Sequence, residues 1–171
     1  MTNSPLRNTI ATTLSLLALG SVGAQAGETP AAFQPVLDAF LASAVSDCKD
    51  MDGGEFELYG GVGMVADFNG DGITDPVLDG RAMHCSTSAT LFGGGSGGDY
   101  LTVFVSGNGG YQQFEFLSQG YAVVAIGRAP VLVMQEHGSS CDMTGGELCY
   151  AAYSWAEGAF HSAGGTISAT R

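Results

Sequence analysis

Apolar residues Phe33, Val36, Leu37, Phe40, Leu41 and Val45 recur at steps of three and four, with Asp38, Ser43 and Asp47 between them. That spacing lines one side of a 3.6-residue period and predicts an amphipathic helix of about four turns. Thr29 is placed to cap it, Pro30 to take its first helical position and Lys49 to sit near its negative end. Beyond Asp50 the period changes. Short runs rich in Val, Tyr and Phe, bounded by glycine, read as strands at 56–59, 63–66, 76–78, 89–92, 100–106, 111–117, 121–126, 130–136, 148–155 and 159–162. Gly107-Asn108-Gly109-Gly110 and Ala156-Glu157-Gly158 stand between such runs as hairpin turns. Consecutive hairpins make a mainly antiparallel β-meander, so the expected fold class is α+β, with the N-terminal amphipathic helix packed on the sheet.

Ahead of the helix, Met1 to Asn8 carry one positive side chain, Arg7, and an apolar small-residue stretch from Thr9 to about Val22 ends in Ala24-Gln25-Ala26. This is the layout of a secretory signal cleaved after Ala26; the apolar stretch is shorter than the roughly 20 residues that span a bilayer. Residues 27–171 then form one domain, soluble in the periplasm or secreted. Cleavage leaves four basic residues against 17 acidic ones, a formal charge of −13. Such a surface excludes nucleic acid as a partner, attracts cations and favours a soluble monomer.

Cys48, Cys85, Cys141 and Cys149 are an even set in an exported chain, so two disulfides are expected. Three pairings are possible. Cys48 with Cys85 and Cys141 with Cys149 is preferred, because the second pair closes a short Ser- and Gly-rich loop. No Cys-x-x-Cys or His-x-x-x-His spacing supports zinc, although His84, His137 and His161 are present. The glycine-rich run 93–98 contains a Gly-x-Ser-x-Gly match, but a strand-like segment follows it where a nucleophile elbow needs a helix.

The segment Asp67-Phe68-Asn69-Gly70-Asp71-Gly72-Ile73-Thr74-Asp75 places oxygen-bearing side chains at alternate positions. Calcium takes six to eight oxygen ligands, and a tight loop offering one at every second residue can wrap it. The candidate ligands are Asp67, Asn69, Asp71, the carbonyl of Ile73 and Asp75, with Gly72 permitting the reversal and the Ile73 side chain expected in the core. It is no EF-hand: Leu78 stands where a bidentate Glu is required. A metal-free turn is the simpler alternative, since Asn-Gly and Asp-Gly are themselves hairpin residues, but a bare turn does not need acids at every second position.

With Met64-Val65-Ala66 before it and Pro76-Val77-Leu78 after it, the loop resembles the hairpin calcium sites of FG-GAP and integrin-type propeller repeats over about residues 62–80. The whole chain, with its helix, Cys48, the loop, then Tyr153-Ser154-Trp155 and Phe160, is also similar to small uncharacterised periplasmic proteins of proteobacteria. The resemblance implies a single calcium loop and carries no activity with it.

The first functional expectation is a calcium-binding structural or binding module, with calcium rigidifying a hairpin and a protein or envelope glycan as partner. Tyr59, Tyr100, Tyr111, Phe114, Tyr121 and Trp155 are candidates for an exposed aromatic face, each weighed against ordinary sheet core. The second is a hydrolase pairing Glu55, Glu57 or Glu136 with His137. Neighbours in a strand point to opposite faces, which counts against Glu136 and His137 acting together. The third is an inhibitor of a secreted hydrolase that presents the stapled loop from Cys141 to Cys149.

Overall fold

The computed structural model describes residues 30–93, 95–162 and 167–169; the expected signal and the Thr29 cap lie outside them. Helix α1 spans Gln34–Asp50. It starts later than expected. Pro30 is not at its first position but accepts from Phe33 N–H in a preceding turn, and Pro35 sits in the first helical turn, where its missing N–H would have had no helical partner. Burying Phe33 completely sets this boundary, since the turn drops its ring under the sheet before the helix begins.

The strands are β1 (Phe56–Leu58), β2 (Gly63–Ala66), β3 (Asp75–Asp79), β4 (Met83–Cys85), β5 (Asp99–Gly107), β6 (Gly110–Ser118), β7 (Gly120–Ile126), β8 (Ala129–Glu136), β9 (Leu148–Ala156), β10 (Ala159–Ser162) and β11 (Ile167–Ala169). The first sheet runs β2-β3-β5-β6; the second runs β10-β9-β8-β7, with β11 also on β9; β1 and β4 make a small third pair. All pairings are antiparallel. Among the described residues the chain is thus mostly antiparallel sheet with one α-helix, broadly α+β.

The layers follow from β5. Leu101, Val103 and Val105 meet Leu132 and Met134 of the second sheet, while Phe104 and its neighbour Leu78 meet Phe33 and Leu37 from the helix side. A strand buried on both faces reads as a continuous apolar run instead of an alternating one, and every residue of β5 from Leu101 to Ser106 is buried. Phe33 packs edge-on against Phe104 at 5.0 Å between ring centres.

Both expected hairpins form as two-residue turns. Asn108 and Gly109 have φ of 43° and 83° between the paired Gly107 and Gly110; Glu157 and Gly158 have 51° and 82° between Ala156 and Ala159. The expected strand at 89–92 is instead a turn, which lets Phe92 drop against Phe56 at 5.4 Å. The Met83–Cys85 strand went unrecognised in the sequence because three residues show no period; pairing with β1 and the disulfide define it.

Cys48 is bonded to Cys85, fastening the last turn of α1 to β4, and Cys141 to Cys149, closing the turn before β9. Both are the preferred pairing. Among the described residues no helix is long and apolar enough to cross a membrane.

Candidate cation site in the β2–β3 loop

The acidic loop joins β2 to β3 beside the end of β5. Gly70 and Gly72 adopt left-handed φ of 77° and 89°, so the reversal uses both glycines. Asp67 folds the loop onto itself: its carboxylate accepts from Gly70 N–H at 2.7 Å, Asp71 N–H at 3.1 Å and Gly72 N–H at 2.8 Å. Asn69 Oδ1 accepts from Asp71 N–H, and Asn69 Nδ2 donates to Ser106 O and to Asp71 Oδ2. Asp71 Oδ1 accepts from Ile73 N–H at 2.8 Å.

Asp75 is wholly buried. Its Oδ2 accepts from Phe68 N–H at 2.8 Å and its Oδ1 from Ser106 N–H at 2.9 Å, so one carboxylate pins the start of the loop to the end of β5. The Ile73 side chain does not enter the core as expected; it is 45 % exposed. Phe68 is the large apolar residue of the loop that is buried, in the core between the sheets.

Ser106, absent from the sequence-based ligand set, is the residue that links the acids. Its Oγ lies 2.9 Å from Asp71 Oδ2 and 2.9 Å from Asp75 Oδ1. A hydroxyl has one hydrogen, so it can satisfy only one of two carboxylates at a time. The other then faces the hydroxyl oxygen and keeps only its second donor, Asn69 Nδ2 for Asp71 Oδ2 or Ser106 N–H for Asp75 Oδ1. Asp75 and Tyr111 shift in the direction of a locally negative field, whereas Asp71 shifts the other way. Burial, with Asp67 adding, raises Asp75 against the opposing bonds from Ser106 and Phe68. The Ile73 N–H is the main cause holding Asp71 low, and Tyr111 is raised by burial first, then by the charges of Asp75 and Asp71.

A depression of about 260 Å³ lies between the loop and the β5–β6 turn, lined by Asp71, Ile73, Ser106, Asn108 and Tyr111 among others. Among the described residues, no three His, Cys, Asp or Glu side chains converge as a ready-made metal cage. Asp67 is turned to the N–H groups of its own loop, while Asp71 and Asp75 share Ser106 Oγ. The donors themselves, carboxylates, an amide, a hydroxyl and carbonyls, are all oxygens and match a hard cation better than a soft one.

The residues considered for hydrolysis are not brought together. Glu57 pairs across strands with His84 and accepts from Tyr59, which is exposed; Glu136 accepts from Tyr153 at 2.8 Å; His137 Nδ1 contacts Ser139 Oγ at 2.8 Å within its own turn. Phe114, Tyr121 and Trp155 pack on the core between the sheets and Tyr111 on the helix side, leaving Tyr59 as the exposed member of the aromatic set. Burial, then the bond to Glu136, pushes the Tyr153 phenol up to about 12. Its folded value lies above the ordinary one, so this contribution to stability is full below the ordinary tyrosine range and is lost as pH rises through about 12. A spectrophotometric titration should show a phenolate step at about 12 that Tyr153→Phe removes; an unchanged titration in the variant would refute the assignment.

No family model, characterised protein or solved structure matches the chain.

Proposed function

We propose that this is an exported calcium-binding structural or binding module, in which calcium at the Asp67–Asp75 loop rigidifies the β2–β3 hairpin. The observation that carries the reading is Ser106: one hydroxyl hydrogen stands between Asp71 and Asp75, in a loop whose other side chains add Asp67 and Asn69. Calcium would supply the missing positive charge. Asp67, Asn69, Asp71, Asp75 and the Ile73 carbonyl are the proposed ligands, with Ser106 holding Asp71 and Asp75 in place.

The chain's own work is conformational. Asp67 fixes the turn through three N–H groups, and Asp75 ties the turn to the centre of the first sheet. A cation that neutralises the three acids would stabilise this hairpin and leave the sheet surfaces to meet a protein or envelope glycan. Export of the chain is supported by the leader-like first 26 residues and by the two disulfides, which persist in oxidising compartments.

Calorimetric titration of the mature, oxidised, metal-stripped protein should show one saturable calcium site, with magnesium binding weakly or not at all. Asp71→Ala should remove it. Full calcium binding by that variant would reject the loop as the site.

A further inference from the structure

The geometry points to a second binding site, independent of the acidic loop, for a small organic cation with an apolar body. A groove of about 830 Å³ separates α1 from the β5–β6 side of the first sheet. That volume falls in the range of small-molecule sites. The groove exists because the helix turns small residues toward it: Ala39, Ser43 and Ala44 leave the space that a Leu or Phe would fill. Phe40, Met83 and Phe92 supply apolar walls.

Thr102 lies on the floor of this groove and is wholly buried, and among the described residues its Oγ1 has no hydrogen-bond partner. Buried hydroxyls are satisfied in the great majority of cases, and one left orphaned beside an open groove is a vacant contact for a ligand. The hydroxyl can accept as well as donate, and its surroundings select which. Across the strand pair, Thr102 stands directly opposite Glu115, and Phe104 opposite Gln113, with both polar side chains on the groove. Among the described residues of the lining, Asp47 is the other charged one, and none is Lys or Arg. An apolar floor, one free acceptor and two acids at the edge fit an alkyl- or arylammonium ion: its body against Phe40 and Phe92, its N–H toward Thr102 and its charge toward Glu115. Met83, an unbranched thioether, is the wall able to give way for the inserted group.

The test is calorimetric titration of the mature, oxidised protein with 1-naphthylmethylamine, 1-naphthalenemethanol and 1-naphthylacetate, in calcium and again in chelator. The amine should bind saturably in both conditions and the acetate at least tenfold more weakly. Thr102→Val keeps the shape and breaks no bond within the protein, so it should fold as the parent does while losing about tenfold in affinity for the amine. Ser43→Leu, at an exposed helix position facing the groove, should block binding. The assignment is overturned if the amine does not saturate, if the acetate binds equally well, or if Thr102→Val binds the amine undiminished.

Discussion

Asp75→Ala should cost roughly 3 to 5 kcal/mol of stability in chelator, before any metal enters the comparison, because it leaves two buried backbone donors without an acceptor. Those donors are Phe68 N–H and Ser106 N–H, which reach opposite oxygens of the carboxylate at 2.8 and 2.9 Å. Each orphaned buried group costs about 1 to 3 kcal/mol, and Ser106 Oγ loses a partner as well. Partly offsetting this, the variant removes a carboxylate that burial makes unfavourable in its charged form. Asp75→Asn should fall between parent and alanine, since its amide oxygen can still accept on one side while its NH₂ opposes a donor on the other. Denaturant unfolding of the three proteins in chelator measures this directly. A cost under about 1 kcal/mol for the alanine variant would mean that Asp75 does not pin the loop to β5.

The second large effect is expected at the helix. Cys48 and Cys85 are 37 residues apart in sequence, so removing their bond with a Cys48→Ala/Cys85→Ala double variant should cost about 4 kcal/mol on the chain-entropy account; Cys141 and Cys149, 8 apart, should cost about 2.5 kcal/mol. The ordering matters more than either value. Cys48 lies in the last turn of α1 and is fully buried, so its loss should also raise hydrogen exchange along the helix more than in the two sheets. Equal costs for the two pairs, with exchange in α1 unchanged, would show that packing of Phe33 and Leu37 on Phe104 holds the helix without the staple.

Patterns of local origin were readable from the sequence. The helix followed from apolar spacing, the hairpins from Asn-Gly and Glu-Gly at positions that need left-handed backbone, and the pairing of Cys141 with Cys149 from their short separation. The alternation of acids in the loop named Asp67, Asn69, Asp71 and Asp75, and the structure places them around one turn beside β5. What escaped was set by distant chain. Ser106 is 35 residues from Asp71, and only the placement of β5 beside β3 brings it there. Of the two large apolar residues in the loop, Phe68 is buried and Ile73 exposed, a difference that position within the motif does not reveal. Thr102 sits in an apolar run as a β-branched residue suited to a strand, and its lone hydroxyl has meaning only with the groove above it.

The calcium reading is tested most directly by the thermal unfolding midpoint of the mature, oxidised protein in calcium and after chelation, with magnesium as control. Calcium at about a hundred times its dissociation constant should add roughly 2.7 kcal/mol, a rise of several degrees that magnesium does not reproduce and that Asp71→Ala lacks. The same midpoint in calcium and chelator, starting from protein shown to be metal-free, would contradict the account and leave Asp67 to Asp75 an acidic turn closed by its own N–H groups.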